Sequence, residues 1–242
     1  VRTALVDLDD TLLDYRAEED HGRDAVRARQ LPGADPRLWQ HLYRRAKLEI
    51  RAQTPLPTSD SHFRRLARAL ELLQIHGVQC RTDEKFVREC ENDYWEAREA
   101  AVRLLPGSRN LLDVLHARCD RTILCTLGTQ RRQSRRLKIA GLDDAFDTVL
   151  TSDTTRVGKD HWPTFLGTHW CEEDSYLVVS DTYDPDLRHA ARIGMCTAWV
   201  RGAAKSLAVK HDSGVPPDWE AATPGALAGL IAGPRASSGV VR

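Results

Sequence analysis

The hydrophobic pattern changes character twice along this chain. A short apolar run, Ala4-Leu5-Val6, has strand character and ends in Asp7-Leu8-Asp9-Asp10-Thr11-Leu12. From about Tyr15 to Arg103 no convincing strand follows. Instead, apolar residues recur at helical spacing: Leu38, Leu42, Ala46 and Ile50, then Phe63, Leu66, Leu70 and Leu73, then Phe86, Cys90 and Tyr94. Breaks at Leu31-Pro32-Gly33, Thr54-Pro55-Leu56-Pro57 and His76-Gly77 divide this stretch into about four helices.

After Leu105-Pro106-Gly107 strands and helices alternate. A helix through Leu111, Leu112 and Leu115 leads to a strand at Thr122–Thr126, a helix through Leu137 and a strand near Phe146–Leu150. A helix around Trp162–Trp170 precedes the strand Tyr176–Ser180, a helix carrying Leu187 and Ile193, and a strand at Thr197–Val200. Pro216-Pro217-Asp218-Trp219 opens an expected edge strand, with a helix from about Gly225 and a mobile end after Gly233. Alternation of this kind predicts right-handed crossovers and a parallel sheet, and the continuous apolar strands fit a sheet covered on both faces. The expected fold is therefore α/β: a doubly wound, parallel, Rossmann-like sheet built from residues 1–14 and 104–242, with an all-helical cap inserted at 15–103.

The 242 residues can bury a substantial core. Lys plus Arg equals Asp plus Glu at 35 each, so no overall field draws the protein to nucleic acid or an anionic membrane. Six scattered cysteines without a C-x-x-C pair suggest free thiols. With a strand beginning near residue 1 and no apolar run of membrane length, the protein is expected to be cytoplasmic, without a signal peptide.

Three carboxylates within the four positions Asp7 to Asp10 repel one another unless a cation sits among them. Two readings stand at this point. The stretch can be an acidic turn with a helix cap at Asp10-Thr11. It can also be a reaction centre, in which Asp7 attacks a phosphoryl group while Asp9 protonates the leaving oxygen and then activates water. In a doubly wound sheet reactive groups collect at the carboxyl ends of strands, where Thr126, Ser180-Asp181 and, five residues on, Asp186 also fall. A threonine hydroxyl can donate to a phosphoryl oxygen, Lys159 can neutralise developing charge, and further aspartates can complete an oxygen shell for Mg²⁺.

In this order the residues resemble the four motifs of the haloacid dehalogenase superfamily: Asp7-Leu8-Asp9-Asp10-Thr11, Thr126, Lys159, and Asp181 through Asp186. The resemblance spans the chain, since a helical insertion after the first motif corresponds to the C1 cap. Leu124-Cys125-Thr126-Leu127-Gly128 and the segment from Ser180 to Val200 look most like the branch of N-acylneuraminate phosphatases and pyrimidine nucleotidases. The resemblance implies a phosphatase with Asp7 as nucleophile, Asp9 as general acid/base, and Thr126, Leu127 and Lys159 around the phosphate. It further implies Mg²⁺ held by Asp7, Asp181 and the backbone carbonyl of Asp9, with Asp186 supporting either the metal or Lys159 and Thr11 also in support. Three positions depart from the pattern: Leu127 where Asn is common, Ser180 where Gly is usual, and Asp160, expected to tether Lys159, where Pro is common.

Arg51, His62 and Arg64 are candidate cap contacts to a small phosphorylated substrate of the sugar phosphate or nucleoside monophosphate type; neither nucleic acid nor membrane is expected as a partner, and monomer or homodimer is left open. The basic face Arg131, Arg132, Arg135 and Arg136 lacks interleaved aromatics, which disfavours a nucleic-acid surface. His161, His169 and Cys171 lack a second zinc ligand pair. The tryptophans Trp39, Trp95, Trp162 and Trp170 are read as packing residues. Asp9 argues against a dehalogenase, which needs no acid for an alkoxide. A phosphonatase would need a Schiff-base lysine such as Lys47 or Lys85. A phosphomutase and a catalytically silent binding protein remain as alternatives.

Overall fold

The computed structural model describes residues 1–54, 56–202 and 215–233. Its framework is a six-stranded sheet, all neighbours parallel, in the order β3-β2-β1-β4-β5-β6. The strands are β1 (Thr3–Val6), β2 (Arg121–Thr126), β3 (Thr148–Thr151), β4 (Tyr176–Ser180), β5 (Cys196–Val200) and β6 (Trp219–Ala221). β1 is central, with Leu5 in register with Ile123 on one side and Val178 on the other. Because every strand runs the same way, the carboxyl ends of β1, β2, β3 and β4 emerge along one edge.

Side-chain alternation splits the apolar strand runs between two faces. Ala4, Val6, Leu124 and Val179 pack with Leu111, Leu115, Leu137 and Leu227; Leu5, Ile123, Cys125 and Val178 pack with Trp162, Phe165 and Leu187. The covering helices are α5 (Ser108–Arg118), α6 (Gln130–Ala140), α7 (Ser152–Thr155), α8 (Trp162–Leu166), α9 (Arg188–Arg192) and α10 (Pro224–Ala232).

The insertion between β1 and β2 carries α1 (Tyr15–Gln30), α2 (Pro36–Gln53), α3 (Ser61–Ile75) and α4 (Glu84–Ala100) ahead of α5. Asp14, Asp35 and Asp83 cap α1, α2 and α4 by accepting from the backbone N–H three residues on. These helices close on a core of their own, including Trp39, Leu42, Tyr43, Leu66, Leu70, Phe86 and Tyr94. The chain leaves and re-enters the sheet region side by side: Leu13 bridges Leu104, Asp14 N–H donates to Arg103 O at 3.1 Å, and Leu105 N–H donates to Leu12 O at 2.8 Å.

Gly22 lets α1 lie directly on α4, since a Cβ there would come within 2.7 Å of the Tyr94 ring and 2.9 Å of its carbonyl oxygen. Glycine inside a helix costs about 1 kcal/mol against alanine. Gly22→Ala should nonetheless destabilise the protein by roughly 1–3 kcal/mol through overpacking, measured by urea unfolding; a stabilised variant would contradict this contact.

Several elements differ from the expected ones. β3 begins at Thr148 rather than near Phe146. The helix at Trp162 stops at Leu166, where Gly167 takes φ +55° and a single tight turn follows. Leu187 ends an irregular turn, Tyr183–Leu187, so α9 spans only Arg188–Arg192. The edge strand is β6, at Trp219 rather than from Pro216. Pro55 and the segment 234–242 lie outside the described residues. Among the described residues no helix is long and apolar enough to cross a membrane.

Candidate active site

β1 delivers Asp7 to the carboxyl edge of the sheet, where its N–H still pairs with Val179 O at 2.9 Å. The side chain is buried and gripped from two sides. Thr11 Oγ1 donates to Asp7 Oδ2 at 3.1 Å, and Lys159 Nζ lies 2.5 Å from Asp7 Oδ1. Thr11 is no helix cap: its hydroxyl also accepts from Asp181 N–H at 2.8 Å, fastening the first carboxylate loop to the end of β4. The cap of α1 is Asp14 instead. Asp10, at φ +59°, turns the chain so that Asp10 N–H meets Leu13 O at 2.8 Å.

Lys159 spans two carboxylates, with Asp186 Oδ2 also 2.5 Å away. Its tether is therefore Asp186 rather than Asp160, whose backbone carbonyl accepts from His189 Nδ1 at 2.5 Å. Ser180 Oγ donates to the same Asp186 oxygen at 2.9 Å, and the indoles of Trp162 and Trp199 donate to the carbonyls of Asp186 and Asp181, both at 3.0 Å. Ser180 thus contributes a hydroxyl that glycine could not. Burial pushes the Asp7 carboxyl up to about 7; Lys159 opposes this, while Asp181, Asp186 and Asp9 add to it. The two carboxylates hold Lys159 protonated, well above its ordinary value, against its own burial.

Asp9 is held from across the site. Arg136 of α6, which is buried, donates Nη1–H to Asp9 Oδ1 at 2.6 Å and forks onto Glu18 of α1 through Nε and Nη2, both at 2.9 Å. Glu18 is fully buried and also accepts from Arg98 Nε at 3.3 Å. The same Arg136 Nη1 reaches Gln133 Oε1 at 2.8 Å, and the Gln133 amide donates to Thr126 Oγ1 at 3.0 Å and to Leu127 O at 2.7 Å. Thr126, expected at the phosphate, is fully buried at the end of β2 and does not line the cavity, because the Gln133 amide covers its hydroxyl. A carboxamide therefore does stand beside Leu127, supplied by α6 in place of the missing asparagine.

Above these groups opens a cavity of about 1350 Å³ between the insertion and the sheet edge, lined by Asp7, Asp9, Leu127, Lys159, Asp181 and Asp186 below. Tyr15, Lys47, Arg65, Trp95 and Arg98 line it from the helices.

Residues 1–167 match the haloacid dehalogenase-like hydrolase family. The chain belongs to that family. A glyceraldehyde 3-phosphate phosphatase from Pyrococcus abyssi is 29% identical over 111 residues, covering 45% of this chain and 47% of that relative, about half its length. The HAD-hydrolase YfnB from Bacillus subtilis, described as bound to magnesium, superposes with TM-score 0.73 at 19% identity over 95% of this chain and 98% of that one. A 2-haloacid dehalogenase from Pseudomonas syringae gives TM-score 0.66 at 24% identity over 96% and 98%. Likenesses at these identities speak for a shared fold.

In this haloacid dehalogenase-like hydrolase, Arg51 and His62 also border the cavity. The His62 ring lies 3.8 Å from that of Tyr94, and its Nε2 is 3.2 Å from Tyr43 Oη; burial brings its pKa down to about 3, so it faces the cavity neutral. Arg64 is turned elsewhere, donating to Thr54 Oγ1 at 2.8 Å and Gln53 Oε1 at 2.6 Å, and it is not part of the cavity wall. Lys47 reaches the cavity but gives its ammonium to both oxygens of Glu19, at 2.7 and 2.5 Å, while Lys85 stays exposed on α4. Trp95, read as a packing residue, lines the cavity beneath Arg132 at 3.9 Å.

Three arginines of the basic face of α6 join it to the insertion. Arg132 and Arg135 approach Glu91 and Glu99 of α4 at 3.7 and 2.6 Å, and Arg136 takes Glu18. Glu18, Arg98 and Gln133 stood out in no sequence pattern, and Arg136 did so only as a member of the basic face. The available signal was the pairing of four closely spaced arginines with an insertion rich in glutamate.

Carboxylates outnumber the single ammonium among Asp7, Asp181, Asp186 and Lys159, and the like charges raise Asp7. A hard dication with oxygen ligands suits that surplus. Among the described residues no group of three or more His, Cys, Asp or Glu side chains is arranged around a metal position. The expected set needs only two side chains, Asp7 and Asp181, together with the Asp9 carbonyl.

Proposed function

We propose that the protein is a Mg²⁺-dependent phosphomonoesterase of small metabolites that works through an aspartyl phosphate on Asp7. The observation that carries this reading is Asp9: a second carboxylate, two residues past the nucleophile, in the same cavity and held in place by Arg136. Cleaving a phosphate ester requires a proton for the departing alkoxide, whereas expelling halide does not. Asp7 attacks phosphorus as the ester oxygen leaves with a proton from Asp9; Asp9 then takes a proton from water as that water attacks the aspartyl phosphate. Lys159, fixed by Asp186, offsets charge on the phosphoryl oxygens and orients Asp7. Bound at Asp7, Asp181 and the Asp9 carbonyl, Mg²⁺ would supply Lewis-acid neutralisation of the phosphate. The phosphatase from Pyrococcus abyssi supports a sugar-phosphate-like substrate, and the branch of N-acylneuraminate phosphatases and pyrimidine nucleotidases remains the nearest in motif appearance. Residues 15–103 would act as the cap that selects the leaving group, turning about the paired crossings at Leu13 and Leu104.

Phosphate release from p-nitrophenyl phosphate and a panel of phosphorylated metabolites, with Mg²⁺ or with chelator, tests the reading. Activity should vanish with chelator and return with Mg²⁺, and Asp181→Ala should raise the Mg²⁺ needed; full turnover in metal-free buffer would refute the metal requirement. Asp9→Asn should slow alkyl phosphates by about two to four orders of magnitude and nitrophenyl phosphate much less. Equal losses on both would remove Asp9 as the acid.

A further inference from the structure

The helical wall of the cavity carries guanidinium capacity that the protein itself does not use. Arg98 of α4 is 7% exposed and lines the cavity, yet among the described residues its only hydrogen bond to protein runs from Nε to Glu18 at 3.3 Å. Its two terminal amino groups have no protein acceptor there; the guanidinium carbon lies 4.6 Å from the Tyr15 ring and 5.2 Å from the Trp95 ring. Arg65 of α3 lines the same wall. It places Nη1 on Glu19 at 3.2 Å and on Tyr43 Oη at 3.3 Å, but its buried Nε has no partner.

The carboxylates nearby are already committed. Glu18 is forked by Arg136, and Glu19 is taken on both oxygens by Lys47. Around this wall stand Lys47, Arg65, Arg98 and Arg136 against Glu18, Glu19 and Asp9, leaving a net positive charge. The buried Arg65 Nε is a costly unpaired donor, whereas the Arg98 amino groups are not fully buried and border the cavity, where an acceptor can reach them. An arginine fork matches a carboxylate or phosphate better than a neutral hydroxyl.

From this we propose, on the basis of the phosphomonoesterase reading, that the leaving part of the substrate carries a second oxyanion, seated on Arg98 and Arg65 against the Trp95 ring. The chemistry recognised is a compact oxyanion, which a carboxylate or a second phosphate can supply. One end of the substrate meets Asp7 and Lys159; the other meets the guanidinium wall.

The test uses the full chain with Mg²⁺ and two matched pairs: 3-phosphoglycerate against glycerol 3-phosphate, and fructose 1,6-bisphosphate against fructose 6-phosphate. At least one anionic member should exceed its partner by roughly tenfold or more in kcat/KM, and the pair that does so identifies carboxylate or phosphate. Arg98→Met should reduce the anionic-to-neutral ratio by roughly 10- to 100-fold, mainly through KM, as expected for a lost charged hydrogen bond. Arg65→Gln gives the same comparison should Arg98→Met not fold, and Arg98→Lys should recover only part of the ratio, because an ammonium cannot fork. A purely structural role would change both members alike. The subsite is overturned if neutral members equal or surpass anionic ones, or if neither arginine alters the ratio while p-nitrophenyl phosphate is still hydrolysed. Absence of phosphate release from every substrate, p-nitrophenyl phosphate included, overturns the phosphatase reading and this subsite with it.

Discussion

Asp7→Asn is expected to lower turnover by at least ~10⁴-fold and to stabilise the metal-free protein near neutral pH. An amide cannot form the acyl phosphate, so the loss falls on chemistry rather than binding. The stability effect follows from the buried carboxyl, whose pKa stands at about 7 in the folded chain against 3.8 ordinarily. The folded state therefore binds the proton more tightly. This contribution is fully present below about pH 4 and is lost as pH rises to about 7, where the ionised group is held among Asp181, Asp186 and Asp9. Asparagine does not titrate, so the advantage of Asp7→Asn should grow between pH 4 and 7 and then level off, while Lys159 retains Asp186 as a partner. Thermal unfolding in chelator across that range checks the trend. Measurable turnover in pure Asp7→Asn, or a Tm difference independent of pH, would contradict it.

The second large effect is on stability. Arg136→Met should destabilise the protein by roughly 3–5 kcal/mol, because Glu18 is fully buried and would keep only the longer contact to Arg98. Adding Glu18→Gln to Arg136→Met should recover much of that loss, since the stranded charge is removed as well. Activity should not recover with it, because Asp9 loses its holder in both variants. Denaturant unfolding of the single and double variants, paired with kcat on an alkyl phosphate, separates the two effects. A double variant as unstable as Arg136→Met would mean that the charge on Glu18 is not what makes the loss large.

The sheet was legible because its strands are apolar on both faces, and the place of the candidate site because strand ends in a parallel sheet must share an edge. Asp7, Asp181 and Asp186 lie there from the ends of their strands, and Lys159 joins them from a loop. The groups that hold them were not legible. Glu18 and Asp9 meet Arg136 across separations of 118 and 127 residues, and no local periodicity encodes such partners. Like charges at helical spacing cost stability in an isolated helix, but opposite the glutamates of α1 and α4 the stripe of Arg132, Arg135 and Arg136 is complementary. Two partners for Lys159 stood open in the sequence, its neighbour Asp160 and the fourth-motif Asp186, and the fold brings Asp186 to the ammonium. The four-residue α7 fell below the length at which a helical period can be recognised, and α8 was recognised but ends at Leu166, short of its expected end.

The side-by-side crossings at Leu13–Asp14 and Arg103–Leu105 have a consequence for inheritance. Because entry and exit are neighbours in space, the whole insertion can be removed, lengthened or exchanged by a single recombination event without rethreading any strand. Asp7, Lys159 and Asp181 would lie outside the exchanged segment, whereas Glu18, Arg65 and Arg98 would lie inside it. Under the proposed function, diversification of substrate choice would thereby be separated from maintenance of the reaction, and Arg136, reaching across that boundary to Glu18, marks a position where an incoming segment must supply a matching acid.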